Sequence, residues 1–251
     1  MNLEKIGIGF LMMTLCFSAC NEMDPTPSEP DGTEEKPDTT EVVVPVTPGQ
    51  INDPGIAYLW DESIIPEITV SMTTDAWNRL LKRYDEFSHN VDYFHADFTY
   101  RKGNEVFEIE DGGIRLRGNT SRRRPEGNGG QEHDAVNPDW HHCHFGINFR
   151  KFHKDDEHTI KGIRKVNLKW FMDDPCYVRE LFCYDLFRRY GIWTAAHDIY
   201  CRLWLKIGDS EPAYYGVYQM IEPIDDEFIE RRVDGMFGND KGFLWKCGYA
   251  D

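Results

Sequence analysis

Ile199-Tyr200-Cys201-Arg202-Leu203-Trp204-Leu205-Lys206-Ile207 and Tyr214-Tyr215-Gly216-Val217-Tyr218-Gln219-Met220-Ile221 read as two strands joined across a Gly208-Asp209-Ser210 turn. Working back, Tyr93–Tyr100 and Glu105–Ile109 flank Lys102-Gly103-Asn104, a second hairpin signal. Gly113–Gly118 is a further strand, which runs into Asn119-Thr120-Ser121. His144–Phe152 and Lys165–Trp170 add two more, and Ile64–Met72 alternates as another, with Pro66 marking an edge or a strand start. Thr74-Asp75 caps a helix carrying Trp77, Leu80, Leu81 and Tyr84 at helical spacing. Asp173-Asp174-Pro175 opens a second helix, ended by Gly191, and a short one follows near 225–233. Residues 122–140, rich in Arg, Gly, Asn and Pro, read as a mobile loop. The expected fold class is therefore α+β: an antiparallel sheet with a packed helix.

The chain has 251 residues, 40% of them hydrophobic and 14% aromatic, enough for a packed core and against wholesale disorder. Its net charge of −16 argues against a nucleic-acid partner. Much of that charge is local. Residues 21–50 hold eight acidic residues, one Lys, six prolines and no aromatic residue, the composition of an extended, solvated tether. Before it, residues 6–19 form an apolar stretch too short to span a bilayer, ending Phe17-Ser18-Ala19-Cys20. This ending resembles a lipobox, in which Cys20 is acylated and becomes the mature N-terminus; an ordinary cleaved signal and a buried helix are the alternatives. The organisation expected is a signal peptide over 1–19, a lipidated tether over 20–50 and one domain over 51–251. The location expected is the bacterial cell envelope, periplasmic or surface-exposed, held to the membrane through Cys20.

Five Cys lie beyond Cys20, at 143, 176, 183, 201 and 247, with no CxxC pair, so no disulfide framework is legible. Those in apolar segments, such as Cys183 and Cys201, are expected as buried thiols. Trp170, Trp193, Trp204 and Trp245 also sit in apolar segments and are expected in the core. His133, His141, His142, Cys143 and His144 invite a zinc reading, but on a strand His142 and His144 face away from Cys143, and no metal is expected there. In Arg117-Gly118-Asn119-Thr120-Ser121, glycine, hydroxyl and amide groups with Arg122–Arg124 behind can fold over an anion; a solvated hairpin tip is the plainer alternative.

Gly113–Ser121, Lys165–Lys169, Tyr177-Val178-Arg179-Glu180-Leu181 with Tyr184-Asp185, and Tyr215–Tyr218 leading to Glu222-Pro223-Ile224-Asp225 occur in the order of the CotH kinase-like family, named from a bacterial spore-coat protein. The resemblance covers about residues 64–246. It implies the small lobe and hinge of an atypical, secreted protein kinase that transfers phosphoryl from ATP to hydroxyl groups of an extracellular protein or glycan, with Mg²⁺. Arg117, Gly118, Asn119, Thr120 and Ser121 then resemble a phosphate-covering loop. Glu180 resembles the helix carboxylate that pairs with a phosphate-binding lysine, here Lys169, and Glu222 lies in the hinge that meets the adenine. An ordinary salt bridge is the alternative for Lys169 and Glu180. Family members usually carry a Lys before the strand that begins at Phe145, where this chain has His141-His142-Cys143-His144. The family's catalytic acid, its following Asn and its metal-binding Asp fall after Asp251, so the expectation is a chain that does not itself transfer phosphoryl. The competing class is a non-catalytic adhesion, carbohydrate-binding or protein-binding lipoprotein, since fungal family members resemble adhesins.

Overall fold

The computed structural model describes residues 51, 53–192 and 194–245. The expected signal peptide, the lipidated Cys20 and the tether lie outside the described residues, as do Trp193 and Cys247. The elements in chain order are α1 (Pro54–Leu59), β1 (Glu67–Met72), α2 (Thr74–Glu86), β2 (Phe94–Lys102), β3 (Glu105–Arg117), β4 (His144–Asn148), β5 (Lys165–Lys169), α3 (Arg179–Arg189), β6 (Asp198–Ile207), β7 (Ala213–Ile221) and α4 (Asp226–Glu230), followed by a π-helical turn, Val233–Phe237.

The seven strands close on themselves in the order β1-β2-β3-β4-β5-β7-β6. Six of the pairings are antiparallel. The seam is parallel: β1 lies against β6 from Glu67↔Arg202 to Met72↔Ile207. This closed, mixed barrel overturns the expected α+β architecture of an antiparallel sheet with a packed helix. Alternation and turn residues report local hairpins, but a parallel pairing between segments this far apart leaves no local trace. Pro66 does precede β1, yet the strand is no edge, because it pairs on both sides. The helix expected to pack, α3, has no buried residue.

Alternation fills the barrel. Ile68, Val70 and Met72 of β1, Val166 and Leu168 of β5, and Cys201, Leu203, Leu205 and Ile207 of β6 all point into one core with Phe98, Ile114, Phe145 and Met220. Helix α2 plugs it with Ala76, Trp77, Leu80 and Leu81, and its N-terminus is capped by Thr73, whose Oγ1 accepts from the Ala76 amide (3.1 Å).

The 122–140 segment is pinned to that helix. Trp77 Nε1 donates to Glu126 Oε2 (2.7 Å), Arg124 Nε donates to Asp85 (2.8 Å), and Glu126 also accepts from His133. Its sequence is that of a loop, but two buried charged residues, Arg124 and Glu126, anchor it. The thiols of Cys143 and Cys201 are buried, whereas Cys176 and Cys183 are exposed. Among the described residues the buried tryptophans are Trp60 and Trp77; Trp170 and Trp204 are half-buried and Trp245 is exposed.

Candidate functional site: a cationic cleft beside α3

The alternation that sends Val166 and Leu168 inward sends Lys165, Asn167 and Lys169 to the outer face of β5. On β3, Ile114 and Leu116 are buried, which turns Arg115 and Arg117 to the same outer side. The register brings the two sets together. Arg115 lies opposite Gly146 of β4, and Gly146 lies opposite Asn167. Gly146 matters here because a Cβ would stand 3.3 Å from Arg115 Nε, so the bare backbone lets the arginine lie across β4. Among the described residues Arg115 Nε is buried without a hydrogen-bond partner. Its guanidinium also sits over the Tyr93 ring, 5.4 Å from the centroid.

Helix α3 closes one side of this row. Asp174 accepts from the amides of Val178 (2.8 Å) and Arg179 (2.6 Å), which starts the helix at Arg179 and not at Pro175. Tyr177, in a left-handed conformation (φ 57°), makes the turn, and its carbonyl accepts from the Tyr200 hydroxyl (2.5 Å). At the other end Arg188 donates to Asp198 (3.1 Å) and to the Ala196 carbonyl (2.9 Å). Held this way, α3 delivers Glu180 and Tyr184 one turn apart. Both Glu180 oxygens accept from Lys169 Nζ.

The resulting cleft, about 320 Å³, is lined by Tyr93, Arg115, Arg117, Lys165, Asn167, Lys169, Glu180 and Tyr184, and by the segment Ile221–Asp225 that leaves β7. Burial, then the neighbouring Arg115, push the Arg117 guanidinium below its ordinary range. Burial works against the Lys165 ammonium too, but ion pairs with Asp226 (2.5 Å) and Asp225 (2.9 Å) outweigh it and raise its pKa. The two lysines of this wall are paired with Asp225, Asp226 and Glu180, and Glu222 is held by Arg232, so among the described residues Arg115 and Arg117 are left without an ion pair. The excess charge is positive, and an anion is what the wall can take.

Of the residues expected from the Arg117–Ser121 turn, Arg117 lies in this cleft. Ser121 lines a second hollow of about 330 Å³ that shares Lys169 and Glu180 with the first. Asn119 and Thr120 are exposed. Gly118 takes φ 112°, and a Cβ there would stand 2.9 Å from Ser121 Oγ, so the turn needs glycine. The three arginines behind it are occupied: Arg122 donates to the Gly118 carbonyl (3.1 Å), Arg123 lies over Trp170, and Arg124 holds Asp85.

His144 sits where the resemblance implies a lysine. Its Nδ1 accepts from the Trp170 amide (2.9 Å), and burial with Lys169 and Arg117 nearby pushes its pKa down to about 4, so it is neutral at pH 7. His142 instead donates to the Tyr215 carbonyl (2.7 Å), and His133 to Glu126. The histidines around Cys143 are thus dispersed.

Glu222 is buried, and its carboxylate takes both nitrogens of Arg232 (2.7 Å each) and the His197 amide (3.2 Å). Burial would raise its pKa, but His197 and Arg232 outweigh that and lower it. What Glu222 offers the cleft is therefore backbone. Arg115, Lys165 and Asn167 are the lining residues that sequence reasoning missed, although period-two alternation about Val166, Leu168 and Leu116 puts them on one face.

A family model described as CotH kinase protein matches residues 114–251, from mid-β3 through both rows of basic residues and beyond the cleft. The chain belongs to the CotH kinase family. No curated protein matches. The family match leaves out β1, α2 and β2, so in this CotH protein the barrel is closed by strands that precede the matched segment.

Proposed function

We propose that the cleft binds the phosphate chain of ATP, and that this chain supplies the nucleotide-holding part of a CotH kinase. The observation that carries the reading is Arg115 Nε, buried without a partner beside Arg117 and Lys169 in a cleft that belongs to the family-matched segment. A buried unpaired donor costs about 1–3 kcal/mol, and a phosphate oxygen would satisfy it. Arg115 and Arg117 would hold the phosphates, Lys169 would stay oriented by Glu180, and the backbone of Glu222–Ile224 would face the base. ATP supplies the transferable phosphoryl group.

The fit does not extend to Mg²⁺. Glu180, Asp225 and Glu222 are each tied to a cation of the protein, so none is free to hold a metal between phosphates. For the same reason none of them is placed to take the proton of an acceptor hydroxyl on a protein or glycan. Nucleotide binding without transfer is the function assigned to the described residues. We propose as well that Cys20 carries lipid and holds the protein in the cell envelope. No helix among the described residues is long and apolar enough to cross a membrane.

The test is thermal unfolding with ATP. Ligand at a hundred times its Kd should add about 2.7 kcal/mol, and Lys169→Ala should remove most of that gain. No stabilisation at millimolar ATP, with or without Mg²⁺, would overturn the reading. The adhesion alternative has one observation in its favour, the exposed Phe182, Phe187 and Tyr190 on and just after α3. It predicts no nucleotide effect.

A further inference from the structure

The loop between β4 and β5 carries a second cluster, remote in sequence from the cleft residues of α3. Its ends are fixed: the Phe149 amide donates to the Arg164 carbonyl (2.8 Å), and Ile160 and Ile163 bridge each other. Within it His153, Asp155 and His158 present ligand atoms that all lie within 4.8 Å of one another. The His153 and His158 rings stack at 4.2 Å with planes 10° apart.

The partner of His153 sharpens the case. Asp111 stands at the bulge between β2 and β3 with a left-handed backbone (φ 50°), unusual for a residue other than glycine. Its Oδ2 accepts from His153 Nε2 (2.8 Å), and its Oδ1 is held by His95 Nδ1 (2.5 Å). Held by the carboxylate at Nε2, the His153 ring has Nδ1 as its remaining ligand nitrogen. That carboxylate–imidazole pairing is how proteins commonly orient a histidine ligand. On the other side, His158 Nδ1 lies 2.5 Å from Asp155 Oδ1, a contact in which a metal can replace the shared proton.

We infer that His153, Asp155 and His158 form a binding site for a divalent transition ion, Zn²⁺ being the ion tested, with Asp111 as the residue that positions His153. Two imidazoles and one carboxylate suit Zn²⁺ over Mg²⁺ or Ca²⁺, and water completes a four-coordinate shell. Bonds of about 2.0–2.2 Å in a tetrahedral shell require His158 Nδ1 and Asp155 Oδ1 to open from their 2.5 Å contact as the ion enters, a swing that the surface loop permits. Arg150, on the same loop, is occupied by Asp156 (3.4 Å) and the Lys154 carbonyl.

The experiment is competition for Zn²⁺ between the full chain and a chromogenic chelator, after metal removal. One equivalent should bind per chain. His153→Ala and His158→Ala should each weaken it by about 100-fold, and Asp111→Asn by about 10–100-fold with the stoichiometry kept. No bound equivalent, or an unchanged affinity in the double variant His153→Ala/His158→Ala, would overturn the assignment. Should the double variant fail to fold, Co²⁺ added to the wild-type chain decides. Broadening of the His153 and His158 ring resonances supports the site, and broadening confined to other histidines removes it.

Discussion

Helix α2 lays Ala76, Trp77, Leu80 and Leu81 against the barrel, all buried, whereas α3 leaves every residue at least partly in water. Burying a large apolar side chain contributes roughly 1.5–3 kcal/mol, so α2 is held mainly by exclusion of water. Ions and hydrogen bonds hold α3: Glu180 to Lys169, Arg188 to Asp198, and Asp174 to the first amides. Exposed ion pairs contribute about 0–1 kcal/mol each, so α3 is the more weakly fastened of the two. The barrel thus has one wall made for stability and one made for charge, and the cleft is on the second.

Four measurements test that contrast, beginning with the largest expected effect. Trp77→Ala should cost about 3–5 kcal/mol in denaturant unfolding, since it opens a cavity and strips Glu126 of a donor. A cost under about 1 kcal/mol would mean that α2 does not seal the core. His144, on the α3 side, should make stability fall in acid. Its folded pKa of about 4 lies below the ordinary 6.5, so the unfolded chain binds the extra proton between those values. Stability is complete above pH 6.5, is lost as pH falls towards 4 and is flat below, and His144→Gln should flatten that part of the profile. Thr73→Ala should cost about 1 kcal/mol by removing the α2 cap, with no effect on ATP binding. Phe182→Ala on α3 should change stability by less than about 0.5 kcal/mol; a loss near that of Trp77→Ala would show that α3 packs as tightly as α2.

The strands were legible because period-two patterns such as Lys165–Lys169 record which face is buried, whatever the strand pairs with. Lys169 and Glu180 were legible through family resemblance, and the structure joins them; the nucleotide role awaits the ATP measurement. Four things were not legible. Barrel closure depends on β1 meeting β6, a contact between two patterns each of which fits an open sheet equally well. The start of α3 depends on Asp174 accepting from residues four and five further on, which moves the helix past Pro175. The fastening of residues 122–140 depends on Glu126 reaching Trp77, and its glycines and prolines hide that anchor. His153, Asp155 and His158 gave no warning either, since their approach to Asp111 arises from a bulge in a different hairpin.

The parallel seam has a consequence for biosynthesis. Met72 pairs with Ile207, so β1 emerges from the ribosome long before its second neighbour exists. At 5–20 residues per second the wait is on the order of ten seconds. During that interval β2 can cover one side of β1, while the other side is an open row of amides and carbonyls able to recruit another nascent chain. A holding chaperone that shields this edge until β6 has been made should therefore raise the yield of closed barrels, and slow translation between codons 102 and 198 should lower it.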